Sequence, residues 1–194
     1  MTKQLILPFA AVLLVLSSCA PSQTDKPTLK DYTPGETWVW KWNRSVDGTV
    51  RAEGEDFQEV VDYNGQPGFW NGTDTIPVAT TLNQKQSSTP FRDWPLYVGK
   101  QWKFESEWEN NEGTKGKTSQ DVKVVAFEPL QVAAGEFMAY KIEYQGMVTN
   151  SRGYKGAMSD TWWYAPDLKT YIKHINDDGY GLYTNELTAY SKAD

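Results

Sequence analysis

The chain has 194 residues, a formal net charge of −6, 39% hydrophobic residues and nine Trp. Residues 1–18 read as a cleaved export signal; loss of Lys3 with them leaves 18 basic against 25 acidic side chains, a charge of −7 on the mature chain. A domain of this size buries roughly 70% of its unfolded surface and needs neither disulfide nor metal to be stable. The acidic balance argues against a nucleic-acid partner, and the apolar content argues against disorder.

In chain order, Met1-Thr-Lys opens a short basic region, and an apolar run from Leu5 to Leu16 follows. About twelve residues are too few for a spanning helix, which needs roughly twenty, so the run reads as a signal peptide. Leu16-Ser17-Ser18-Cys19 resembles the bacterial lipobox, which implies that Cys19, the single cysteine of the chain, becomes residue one and carries a diacylglyceryl group. A second acyl chain on the new amine supplies the two signals that stable anchoring requires. Ala20 after the cysteine implies, by the same resemblance, the periplasmic face of the outer membrane. Residues 19–33, with two prolines and no periodicity, read as the lipidated Cys and a tether, and 34–194 as a single β domain.

From Thr37 onward, strand-like runs alternate with turn pairs such as Asp47-Gly48, Asn64-Gly65 and Asn71-Gly72. Such pairs supply the positive φ angles of tight antiparallel turns. Strands are expected near 37–46, 49–62, 66–70, 74–82, 99–110, 118–129, 136–149, 156–165, 170–176 and 180–190. The fold class is all-β: an antiparallel meander of about ten strands forming a curled sheet, half-barrel or closed barrel. Trp38, Trp40 and Trp42 share one strand face, as do Trp102, Phe104 and Trp108, and Met138, Tyr140, Ile142 and Tyr144. Gly35-Glu-Thr-Trp38-Val-Trp40 and Gly99-Lys-Gln-Trp102-Lys-Phe104 share one pattern. It suggests half-units 34–82 and 91–190 joined by a polar, Pro-punctuated segment over 83–98.

Pro95-Leu-Tyr-Val-Gly-Lys-Gln-Trp102, Val132-Ala-Ala-Gly-Glu-Phe137, Trp163-Tyr-Ala-Pro-Asp167 and Glu186-Leu187 together resemble an exported bacterial β-rich family, domain of unknown function 3108. The resemblance covers roughly residues 91–190 and implies an exported β domain with no catalytic residues to carry over. That family places Gly soon after its Tyr-Ala-Pro turn, where this chain has Lys169 and Thr170. The architecture is also similar to the half-barrels of periplasmic lipoprotein carriers, a likeness that does not by itself give function.

No chemistry stands out. His174, the one histidine, reads as a surface strand position, and no Gly-x-Ser-x-Gly elbow supplies a nucleophile. Acylation of Cys19 removes the thiol, and one His does not make a zinc site. Asp177-Asp178-Gly179 reads as a hairpin turn and not a calcium loop. Asp93, Glu136, Asp160 and Asp167 sit among aromatics, but a glycosidase pair must lie about 5–10 Å apart across a cleft, which sequence does not reveal. The expectation is therefore a non-enzymatic protein without catalytic residues, metal or cofactor other than the lipid on Cys19.

Aromatic surplus is the distinctive feature. Adjacent strand residues face opposite ways, so Trp162-Trp163 and Phe69-Trp70 each either expose a ring or find a second covering layer. Trp38, Trp40, Trp70, Trp102, Tyr140, Trp162 and Trp163 are the ligand-binding candidates, and a cavity lined by Trp38, Trp40, Trp102 and Tyr140 would favour a carrier. Three readings remain: a non-enzymatic lipoprotein whose aromatic sheet holds an apolar or amphipathic ligand or docks a periplasmic partner, a glycan-binding or glycan-cleaving module, and a purely structural assembly component.

Overall fold

The computed structural model describes residues 23–82 and 88–193; Cys19 lies outside them. Ten strands form one antiparallel sheet: β1 (Thr37–Val46), β2 (Thr49–Tyr63), β3 (Gln66–Trp70), β4 (Thr75–Pro77), β5 (Gln101–Glu109), β6 (Lys115–Val132), β7 (Gly135–Asn150), β8 (Lys155–Ala165), β9 (Thr170–Asp177) and β10 (Leu182–Ser191). Their order is β4-β3-β2-β1-β10-β9-β8-β7-β6-β5, so the ends of the chain's meander meet at β1–β10 and the sheet stays open at β4 and β5. It is strongly curled: Ala134 N, in the β6–β7 turn, donates to Leu187 O of β10 at 3.2 Å although three strand-to-strand steps separate β7 from β10.

The fourth expected strand, 74–82, is cut short. Strand pairing stops at Pro77, which has no N–H to donate, and the chain turns into a one-turn helix α1 (Val78–Leu82). Helical spacing puts Val78 and Leu82 on one side, where both pack into the core with Tyr32.

The two Gly-x-x-Trp-x-aromatic segments share a local backbone geometry. Gly35 and Gly99 both have φ near +94, a value that favours glycine. Gly35 N donates to Val60 O at 2.7 Å and Val60 N to Glu36 O at 2.8 Å; Gly99 N donates to Val124 O at 2.8 Å and Val124 N to Lys100 O at 3.0 Å. Each half thus enters its first long strand through the same pair of bonds to a buried valine.

After the Tyr-Ala-Pro turn, Lys169 adopts the left-handed conformation (φ 57, ψ 20) in which a glycine would be at ease. Its side chain explains its presence. Lys169 Nζ donates at 2.6 Å to both carboxylate oxygens of Glu36 and at 2.6 Å to Asp31 O. Glu36 is only 4% exposed and also accepts from the Tyr190 hydroxyl at 2.7 Å, so Lys169 neutralises a buried charge.

Two apolar clusters form the core. One joins Trp38, Trp40, Val60 and Leu187 to Val132, Ala139, Ala165 and Leu168; the other holds Val122, Val124, Tyr140, Ile142, Tyr144 and Tyr164 with Leu96. Ala139 and Ala165 alternate with Tyr140 and Tyr164, so both faces of β7 and β8 are buried at this end, one in each cluster. The segment 88–98 covers the aromatic face of β5–β8. Phe91 stacks on Tyr144 at 5.2 Å and meets Phe104 and Trp162 edge-on, while Trp94 meets Tyr164. The Tyr144 hydroxyl donates to Phe91 O at 2.6 Å. Residues 23–33, expected in the tether, are docked from Thr24 onward: Thr24 bridges Leu96, and Tyr32 is buried.

Candidate functional site on the aromatic face

Beyond those coverings, polar side chains on the same face converge in a buried cluster. Cross-strand pairing places Trp162 opposite His174, Asp160 opposite Asn176, Tyr144 opposite Asp160, and His174 opposite Asn185. Asp160, 7% exposed, accepts from His174 Nε2 at 2.9 Å, Asn176 Nδ2 at 2.9 Å and Gln120 Nε2 at 2.7 Å. The three donors come from β9 and β6, so the carboxylate ties β6, β8 and β9 together. His174 is therefore not the surface residue expected from sequence: it is 9% exposed, and its ring lies parallel to that of Trp162 at 3.5 Å between centroids.

A bulge completes the site. Trp163 pairs with Lys173 but Tyr164 pairs with Tyr171, leaving Ile172 as the extra residue and returning Tyr171 to the aromatic face. Tyr171 stacks on Trp40 at 5.5 Å and meets Trp162 edge-on at 4.8 Å. Asn185, 2% exposed, directs Nδ2 to the Tyr183 hydroxyl at 3.2 Å, the Tyr171 hydroxyl at 3.3 Å and Asp56 Oδ2 at 3.5 Å. Burial pushes the Tyr171 and Tyr183 hydroxyls above the ordinary tyrosine range, with Asp56 adding to the rise in both, so both are neutral donors or acceptors at neutral pH. Two buried polar atoms here have no protein partner: Trp162 Nε1 and Asn185 Oδ1.

Toward the mouth, two indoles lie flat on glycines of the neighbouring strand. Trp42 covers Gly54, where a Cβ would come within 2.6 Å of the ring, and Trp108 covers Gly116, where it would come within 2.1 Å. Trp42 also stacks on Tyr183 at 6.1 Å. Trp108, Val148, Met158, Tyr154 and Tyr180 line a mainly apolar recess of about 230 Å³. Arg44 and Asp178 pair at its rim at 3.0 Å.

The sequence candidates distribute unevenly over this geometry. Trp38 and Trp40 belong to one core cluster, Tyr140 and Trp102 to the other, so these four do not share a cavity. Trp102 is fixed by a 2.9 Å bond from Nε1 to Pro90 O. Trp70 lies on the opposite face against Phe57, and Trp163 packs against the first cluster with Nε1 on Glu128 at 3.3 Å. Trp162 alone of the seven joins the Asp160 network, through its stacking on His174, with Trp40 behind Tyr171. Of the four carboxylates, Asp93 pairs with Lys100 at 3.0 Å, Glu136 and Asp167 are exposed, and Asp160 is in the network. Among the described residues no three His, Cys, Asp or Glu side chains are grouped as a metal site.

No family model matches the chain, and no curated protein does, so the resemblance over 91–190 finds no support there. Three solved structures share a fold likeness. An exported-protein candidate of Bacteroides fragilis, described as having a YmcC-like fold, is 12% identical with a TM-score of 0.38 over 88% of this chain and 100% of its own. A lipoprotein candidate of Parabacteroides distasonis is 11% identical, TM-score 0.48, over 83% and 98%. The hypothetical lipoprotein YmcC of Escherichia coli is 9% identical, TM-score 0.42, over 80% and 85%.

Proposed function

We propose that the chain is a bacterial envelope lipoprotein, held at the periplasmic face of the outer membrane by acyl chains on Cys19, whose β domain is a non-enzymatic binding module for an amphipathic ligand. Leu-Ser-Ser-Cys and the short apolar run before it support the anchor. The observation that carries the binding role is the mainly apolar recess lined by Trp108, Val148, Met158, Tyr154 and Tyr180, whose Met158 lies two residues along β8 from the buried Asp160 network. Elsewhere the aromatic face is filled by the protein's own Phe91, Trp94, Leu96 and Tyr32, so the ligand site is this end and not the Trp38–Trp102 region. At about 230 Å³ the recess is smaller than the roughly 300–1,000 Å³ of pockets that engulf whole ligands; it takes one ring or a short chain while the rest of the ligand lies along the sheet.

Native mass spectrometry of residues 20–194, purified gently and without detergent, tests this reading. A co-purifying amphipathic species on the wild type, absent when Met158→Trp fills the recess, is expected. Retention of the same species by the filled variant contradicts the site.

A further inference from the structure

Resting on the lipid-anchor part of that reading, we infer that the exposed turn Tyr97-Val98-Gly99 is the surface through which the anchored domain contacts the phospholipid bilayer, with the Tyr97 ring and the Val98 side chain at head-group depth. Chain length sets the distance. Thr24 is held by a two-way backbone bridge, Thr24 N donating to Leu96 O at 2.9 Å and Leu96 N to Thr24 O at 2.8 Å, and its hydroxyl donates to the Tyr140 hydroxyl at 3.2 Å. Five residue steps separate Thr24 from Cys19, a span of at most about 18 Å when fully extended. A tether free as far as residue 33 would reach roughly 50 Å. Acyl chains on Cys19 therefore hold this part of the domain at the head groups and not clear of them.

Chain direction selects the surface. The Thr24–Leu96 bridge is antiparallel, so the chain toward the anchor, through Gln23, heads along the Tyr97 side of Leu96. Leu96 is fully buried, whereas Tyr97 is 44% and Val98 37% exposed. Among the described residues they are the one adjacent pair of exposed large apolar side chains. A ring with a hydroxyl tip beside an aliphatic group suits the membrane interface, where Tyr is enriched. The turn itself is fixed: Gly99 N donates to Val124 O at 2.8 Å and Lys100 N to Tyr97 O at 3.1 Å. Exposed charges around it are of both signs, Asp25 and Lys26 after Thr24 and Lys123 opposite Gln101, so no one-sign field opposes the contact. The acyl chains supply the affinity, and the turn supplies the orientation.

Acylation of Cys19, the single cysteine, leaves the chain without a thiol, so Val98→Cys in the full chain creates one labelling site. The variant is produced in bacteria with its signal peptide, its acylation is checked by intact mass, and a nitrobenzoxadiazole fluorophore is attached. It is then reconstituted in vesicles of phosphatidylethanolamine and phosphatidylglycerol containing a lipid spin-labelled near the head group. Tyr97→Cys gives a second reporter. Asn111→Cys, on the exposed β5–β6 turn at the other end of β5, about 27 Å along that strand, is the reference. The labels at 98 and 97 are expected to shift to the blue and lose most of their emission to the spin-labelled lipid, while the label at 111 keeps its own. Equal quenching at 98 and 111, or none at 98 and 97 on vesicle-bound protein, overturns the contact surface while leaving the anchor standing. An unmodified mass at Cys19 overturns the anchor and the orientation together.

Discussion

Asp160 is where the site and the fold depend on the same atoms, and Asp160→Leu separates them from ordinary surface change. The carboxylate accepts three side-chain hydrogen bonds at 2.7–2.9 Å, all from groups on other strands. Its removal leaves the amides of Gln120 and Asn176 and the ring N–H of His174 facing a hydrocarbon. Bonds to charged acceptors are worth about 1.5–3 kcal/mol each, so a loss of about 3–5 kcal/mol for the three together is a conservative sum. For a domain of this length each kcal/mol lowers Tm by about 2–4 °C, which gives a fall of about 6–20 °C. Asp160→Asn keeps the shape and one acceptor oxygen and should lose about 1–3 kcal/mol. Far-UV circular dichroism melts of both variants at neutral pH measure this. A Tm for Asp160→Leu within about 2 °C of wild type would refute the claim that the network organises β6, β8 and β9.

Four further outcomes are expected. Lys169→Met relieves no left-handed strain and takes from buried Glu36 its ion-pair partner, so chemical denaturation should show a loss of about 3–5 kcal/mol; an unchanged stability would mean that the pair does not hold this turn. Burial raises the Tyr32 hydroxyl from 10.0 to about 12. Because the folded value lies above the unfolded one, its contribution of about 2–3 kcal/mol is intact below pH 10 and lost as pH rises toward 12, and tyrosinate absorbance should titrate in two phases, with a single phase near 10 and an intact fold as the contrary result. Gly116→Ala puts a methyl where the Trp108 ring lies; it should displace the indole, destabilise by about 1–3 kcal/mol and weaken binding of octyl β-glucoside measured by titration calorimetry below its micelle concentration. Cys19→Ala should abolish palmitate labelling and move the protein from the membrane to the soluble fraction.

Most of the sheet was legible because turn pairs and alternation act locally. Trp38-x-Trp40-x-Trp42 and the Asp47-Gly48 turn fix a strand, its buried face and its hairpin within a dozen residues. The helix after Pro77 was not legible in this way, since Val-Ala-Thr-Thr-Leu suits a strand until the core beneath it calls for Val78 and Leu82 together. Segment 88–98 has no period and read as a linker, yet Phe91, Trp94 and Leu96 fill half the aromatic face, a result of long-range packing alone. His174 reads as a surface position in sequence because Tyr171-Ile-Lys-His-Ile carries no steady alternation, and the structure places a bulge at Ile172. A signal for the network did exist: Asp160, Trp162 and Tyr164 alternate on one face, and Gln120 alternates with Val122 in the same way. Polar residues at the apolar phase of several strands mark a shared buried cluster. Trp42 and Trp108 also face Gly54 and Gly116 across a hairpin, a pairing in which a flat ring replaces a missing side chain.

The central claim is that an amphipathic ligand places its apolar part in the recess lined by Trp108, Val148, Met158, Tyr154 and Tyr180. A crystal structure of residues 20–194 with octyl β-glucoside tests it most directly. The expected result is density for the alkyl chain among Trp108, Val148 and Met158. Density for the probe against Trp38 and Trp102, or on the opposite face beside Trp70, would contradict it.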